Sequence, residues 1–164
     1  MAAKDLIIDT TTIDFNHVVA DLEEIRRYNL QRFEMEQLTA IVLEDRERTI
    51  CVGYKDTSHQ DFWVRGHMPG MPLMPGVVML ECAAQLCSYY AQKLDLLGTR
   101  MIGFGGLEDV RFRDTVRPGD RLPCTAIRPP DHGAQRHRPV AAPPAGRDPR
   151  AAARRRLLEG SARS

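Results

Sequence analysis

The 164-residue chain predicts an α+β fold in which a curved antiparallel sheet wraps one central helix. Three stretches carry that prediction. Residues around 76–91 are apolar on every helical face apart from Glu81 and Gln85, and in a chain of this length such a helix is buried against a sheet. "FEMEQLTAIVLED" (33–45) and "RTICVGYKD" (48–56) are rich in β-branched and aromatic residues and flank a polar stretch, the pattern of a strand hairpin. "MIGFGGLEDVRFRDTV" (101–116), the turn "RPGD" and "RLPCTAIR" (121–128) read as a long strand, a turn and the start of another strand.

Taken in order, the chain divides into an N-terminal extension with the start of a lead-in helix (1–20), one domain (21–128) and a tail (129–164). In "TTIDFNHVVADLEEIRRYN", Phe15, Val18, Leu22 and Ile25 recur at helical spacing behind capping Thr and Asp residues, which predicts an amphipathic helix on the outside of the domain. His17 in that helix reads as solvated. The loop "TSHQDFWVRGHMPGMPLMPG" carries prolines at 69, 72 and 75 that exclude regular structure until the last of them, and Pro75 suits a first helical turn. The central helix is then expected from about Pro75 to about Leu94.

Composition narrows the function. Lys plus Arg at 23 against Asp plus Glu at 22 leaves no global field to draw nucleic acid or an anionic membrane. Cys51, Cys82, Cys87 and Cys124 form no C-x-x-C pair, so neither a metal site nor a disulfide framework is expected, only reduced thiols in a core. The N-terminus lacks a basic segment followed by an apolar one, and the longest apolar stretch falls short of the ~20 residues that span a bilayer. The expectation is a cytoplasmic protein without membrane insertion.

Three residues carry the candidate chemistry. His67 is flanked by prolines that fix its backbone, and it titrates near neutral pH; the competing reading is a histidine that only hydrogen-bonds a neighbouring carbonyl. Glu81 lies six residues beyond Pro75, about 9 Å along the helix. An unpaired carboxyl buried there keeps its proton and becomes a donor; the competing reading is a buried salt bridge or a hydrogen bond to the neighbouring main chain. Gly76 opens the helix, where free backbone N–H groups and the positive dipole end converge and no side chain keeps a ligand away; the competing reading is a tight turn. A rigid histidine and a buried acid form a general base and a general acid. With no nucleophile elbow and no metal-ligand spacing, covalent and metal mechanisms lose ground.

At this point the residues resemble a known family. "GHMPGMPLMPGVVMLECAAQ" (66–85) is similar to the active-site signature of the hot dog fold 3-hydroxyacyl-(acyl-carrier-protein) dehydratases of bacterial fatty-acid synthesis, whose loop reads G-H-F-P-G-H-P-x-M-P-G and whose helix continues to E-A-x-A-Q. "DLEEIRRYNLQRF" resembles the family's lead-in helix and P-H-R-Y segment, and "GLEDVRFRDTVRPGDRL" its K-F-R-x-P-V-x-P-G-D-x-L strand and turn, so the likeness spans roughly 21–127. The resemblance implies a hot dog fold, His67 as catalytic base and Glu81 as catalytic acid, facing each other across a dimer interface. It further implies the Gly76 backbone N–H as the group that binds the thioester carbonyl, with no cofactor. The implied substrate is an acyl carrier protein bearing a 3-hydroxyacyl chain, and the implied assembly a homodimer or trimer of dimers. Met68 and Met71 replace the family's phenylalanine and second histidine, and "EMEQLT" replaces its apolar first strand, which leaves base and acid in place and bears on acyl chain length. Turnover of other acyl thioesters, as in a thioesterase, and acyl binding without turnover remain the alternatives.

The tail departs from everything before it. From Arg128 onward there is no lysine, no Phe, Tyr or Trp and no isoleucine, and six of the chain's eleven prolines fall there. Such a composition is expected to be disordered and to form no strand. Its Arg, Ala, Pro and Gly are also what GC-rich codons yield out of frame, so a frame slip near residue 128 is the expected origin, ahead of an arginine-rich tail that binds nucleic acid or an acidic partner.

Overall fold

The computed structural model describes residues 8–98, 103, 105–128 and 140–141. The elements run in the order α1 (Leu22–Tyr28), β1 (Ala40–Asp45), β2 (Ile50–Asp56), α2 (Gly76–Lys93), β3 (Arg121–Ile127) and β4 (Val140–Ala141), with short 3-10 turns at Thr10–Thr12 and Phe33–Met35. The four strands form one antiparallel sheet in the order β1-β2-β3-β4. The hairpin between β1 and β2 turns through Thr49 at positive φ, with Asp45 accepting from the Arg48 N–H. β2 and β3 pair along their whole length, from Ile50 opposite Ile127 to Asp56 opposite Arg121.

The sheet alternates as a two-sided strand pattern demands. Cys51 on β2 and Leu122, Cys124 and Ala126 on β3 face α2, where Met79, Cys82, Leu86 and Tyr89 complete the main core. Ala40, Val42, Ile50, Val52 and Tyr54 form a second cluster on the other face, covered by Ile8, Ile13 and Phe15 from the N-terminal segment. Gly53 sets the helix-to-sheet distance: a Cβ there would stand 2.9 Å from the Ile41 side chain and 3.2 Å from that of Leu86. At the far end of α2 the Tyr89 hydroxyl donates to Glu44 (2.6 Å), and Lys93 donates to both Glu44 and Tyr89 (2.8 Å each), tying the helix to β1. Burial and the Glu44 carboxylate hold the Tyr89 phenol protonated far above its usual range.

Several expectations are corrected in detail. The lead-in helix begins only at Leu22, because Asp21 caps it by accepting from the Glu24 N–H at 2.9 Å. The residues before it turn locally, with Asp14 accepting from the Asn16 N–H, and Phe15 packs edge-on against Tyr54 on the sheet instead of lining a helix. The first strand is shorter than 33–45 because Phe33–Met35 forms a 3-10 turn with Phe33 at positive φ. The described part of 101–116 is irregular instead of a long strand; glycines and the positive-φ residues Gly106 and Asp109 interrupt it. In the tail, Val140–Ala141 pairs with Thr125 and Cys124 of β3 where no strand was expected. Val140 is the tail's one β-branched residue, and β3 offers an edge to it. The other tail residues lie outside the described part of the chain, as does the start of the N-terminal extension.

Candidate active site

The loop between β2 and α2 is held from below. The Thr57 hydroxyl donates to the carbonyls of Arg117 and Asp120 at 2.7 Å, and Trp63, only 3% exposed, plugs the core beneath the loop. The Trp63 carbonyl accepts from the His67 N–H at 2.8 Å, and the His67 carbonyl accepts from the Leu73 N–H at 2.8 Å. Between them Met68 and Met71 exchange backbone hydrogen bonds around Pro69 and Gly70, whose φ of 77° only glycine adopts freely. Met74 then donates its N–H to the Val116 carbonyl at 2.8 Å, fastening the loop's end to the segment before β3.

His67 is therefore rigid and exposed. Its Nδ1 lies 2.8 Å from the Leu73 carbonyl oxygen. A carbonyl only accepts, so Nδ1 carries a proton, and in the neutral ring the lone pair sits on Nε2. The carbonyl contact that competes with a catalytic reading in the sequence is thus present, and it orients a base.

Gly76 is the first residue of α2, behind Pro75, whose side chain makes no capping bond. The first backbone donors satisfied at this end are those of Val78 and Met79, which reach the Pro75 carbonyl. The N–H groups of Gly76 and Val77 have no partner among the described residues.

Glu81 is half-buried instead of enclosed. Val77, Leu80, Glu81, Ala84 and Ser88 recur at three- and four-residue spacing and form one stripe of α2 that the chain's own core covers only in part. Glu81 makes no salt bridge among the described residues; its Oε1 accepts from Gln85 Nε2 at 2.7 Å. Gln85 is 2% exposed and its orientation is fixed: Oε1 accepts from the Gln37 N–H at 2.9 Å, so Nε2 points to Glu81 and to the Met35 carbonyl at 2.6 Å. Because Gln85 donates to Oε1, a proton on Glu81 belongs on Oε2. His67 and Glu81 share no hydrogen bond or ion pair within the chain. The sequence offers a signal for Gln85, four residues after Glu81 and hence on the same helix face, but its tie to Met35 and Gln37 is tertiary.

Among the described residues no group of three or more His, Cys, Asp or Glu is placed to hold a metal ion, and no helix is long and apolar enough to cross a membrane. Cys51, Cys82 and Cys124 are buried free thiols, and burial pushes the half-buried Cys87 thiol up to about 11.

An antiparallel sheet packed on one long helix, with a histidine loop feeding that helix's N-terminus, defines a hot dog domain. The chain belongs to the FabA-like family, whose domain model matches residues 29–128. It is 42% identical over 73 residues to the 3-hydroxyacyl-[acyl-carrier-protein] dehydratase FabZ of Desulfotalea psychrophila, a stretch covering 43% of this chain and 49% of that one. To the FabZ of Moorella thermoacetica it is 41% identical over 81 residues, 49% of this chain and 57% of that one. To the FabZ of Rhizobium rhizogenes it is 29% identical over 114 residues, 70% of this chain and 72% of that one. The chain thus spans about half the length of the first two relatives and more of the third.

Proposed function

We propose that the protein dehydrates a (3R)-3-hydroxyacyl thioester, carried on an acyl carrier protein in the cytoplasm, to the trans-2-enoyl form. The observation that carries this reading is the His67 ring, locked by the Leu73 carbonyl with Nε2 free, in the loop that delivers the unpartnered N–H of Gly76 and, further along the same helix, Glu81. Nε2 of His67 takes the C2 proton, the Gly76 N–H and the α2 dipole steady the negative charge that develops on the thioester oxygen, and Glu81 gives its Oε2 proton to the departing hydroxyl. Water leaves, the C2–C3 bond becomes double, and no electrons are exchanged with a cofactor. The half-covered stripe around Glu81 and the exposure of His67 support a homodimer, alone or within a trimer of dimers, in which one chain's His67 meets its partner's acid.

Incubating the purified protein with a 3-hydroxyacyl thioester and following enoyl absorbance tests the reading. Turnover is expected in the wild type and not in His67→Ala or Glu81→Gln, each still folded by circular dichroism. Glu81→Gln keeps the shape and removes the proton, so full activity in that variant refutes the assignment. Stoichiometric binding of the thioester without enoyl formation would instead establish an acyl-binding module.

A further inference from the structure

Gly76 has an unexpected neighbour. A Cβ built on residue 76 would stand 2.8 Å from Cζ and 2.9 Å from Cε2 of Phe112, so that ring fills the space a side chain at 76 would take. Phe112 comes from the irregular segment ahead of β3, which is fastened beside the histidine loop by the Met74 N–H to Val116 carbonyl bond. The ring is 44% exposed, in a stretch where Arg111 and Arg113 point to solvent. A large apolar side chain resting half in water on the first turn of a helix gains little by burial, and the core of the domain does not need it. What it does cover is the glycine at which the helix's free N–H groups begin.

We infer that Phe112 is a positioning residue for the acyl thioester, an aromatic wall on the first turn of α2 that keeps water from the Gly76 N–H and holds the thioester carbonyl against it. The inference rests on the reading of Gly76 given above. A donor shielded from water is worth more to a developing negative charge than a solvated one, and a flat wall at the carbonyl limits the poses in which C2 meets the base. It also gives residue 76 a reason to be glycine beyond the turn, since any side chain there would displace the ring.

The test compares Phe112→Ala and Phe112→Leu with the wild type in the full-length protein, measuring kcat and KM on a 3-hydroxyacyl thioester, the melting temperature and amide hydrogen exchange at Gly76. Phe112→Ala is expected to lower kcat/KM by about tenfold or more, chiefly through kcat, with the melting temperature nearly unchanged. Exchange at Gly76 is expected to quicken by a similar factor, and Phe112→Leu, which restores an apolar wall, should recover most of the rate. A purely structural ring would move the melting temperature and leave kcat and exchange alone. An active wild type, an inactive His67→Ala and a Phe112→Ala with unaltered kcat or unaltered Gly76 exchange overturn the inference while leaving the proposed reaction intact. A wild type without turnover overturns the reading of the site and this inference with it.

Discussion

Gln85→Leu is the substitution whose cost the structure states best. Leucine keeps the volume and removes three hydrogen bonds: to Glu81 Oε1 at 2.7 Å, to the Met35 carbonyl at 2.6 Å and from the Gln37 N–H at 2.9 Å. The Met35 carbonyl belongs to an exposed residue and can turn to water, but Gln37 is buried, so its N–H is stranded. One orphaned buried donor costs about 1–3 kcal/mol and each of the two other lost bonds about 0.5–1.5 kcal/mol, for a total of about 2–6 kcal/mol. That is a large share of the roughly 5–15 kcal/mol that holds a domain of this size. Trp63 is the chain's single tryptophan and is buried, so urea unfolding followed by its fluorescence reads the loss directly. Under the proposed mechanism the same variant should also lower kcat, because Glu81 Oε1 loses the donor that holds it. A stability within about 0.5 kcal/mol of the wild type would refute the accounting, being the change expected of a surface substitution. Gln85→Glu sharpens the test: its new oxygen faces Glu81 and a carbonyl, so its penalty should grow from acid to neutral pH as the charge forms.

Other outcomes follow from the same contacts. If the site is built across two chains, mixing inactive His67→Ala and Glu81→Gln proteins and allowing subunit exchange should restore about a quarter of the wild-type sites, counted by enoyl formation, through random pairing of chains; verified exchange without recovery points to a site within one chain. Arg26, held by two bonds to Glu36 and one to Glu23, lowers the Glu36 carboxyl from its ordinary value of 4.5. Because the folded value is the depressed one, the pair's stabilisation is complete above 4.5 and fades as pH falls below it. Glu36→Gln should therefore lose a little stability at pH 7 and progressively less as pH falls below 4.5, read by parallel urea titrations, with the loss kept small by solvent screening. With the Cys87 thiol at about 11, its alkylation by iodoacetamide at pH 8 should run about a hundredfold slower than in the unfolded chain, as peptide mapping would show. Limited proteolysis should cut first within 129–164, and resequencing across codon 128, with a strand-forming ending restored if the frame has slipped, should yield a more stable and more active protein.

The parts of the fold legible in the sequence are those with one strong local signal. Three prolines and an apolar run place the start of α2 at Gly76 within a residue, and the β-branched pair of segments places the β1–β2 hairpin. Periodicity misleads where a polar residue offers the backbone a better local bond. Phe15 and Val18 fall in register with Leu22 and Ile25, yet Asp14 and Asp21 close a turn and a cap, and the helix keeps only the second pair. Residues 105–116 carry strand-like side chains, but their order comes from contacts such as Phe112 on Gly76 and Val116 on Met74, which no local pattern encodes. In the candidate site, His67, Gly76 and Glu81 stand out in the sequence because each breaks its surroundings: an imidazole among prolines, a glycine at a helix start, a carboxyl in an apolar helix. Gln85, Trp63 and Phe112 are side chains of ordinary type in ordinary places, and only the fold gives them work.

The sharpest difference between sequence and structure lies on α2, and it bears on how the site is completed. A helix apolar on every face reads as buried on every face, but the sheet and α1 cover only the side that carries Val78, Cys82, Leu86 and Tyr89. The opposite stripe begins at Val77, 73% exposed, and runs through the half-buried Leu80 and Ala84, with Glu81 among them. Three- and four-residue spacing sets these residues on one side of α2, where Val77 is exposed and Leu80 and Ala84 are half-buried. Glu81 sits on this less covered side, with its Oε1 taken by Gln85. The apolar excess of α2 and the placement of its single acid are therefore one arrangement, and the sequence writes both into the same eighteen residues.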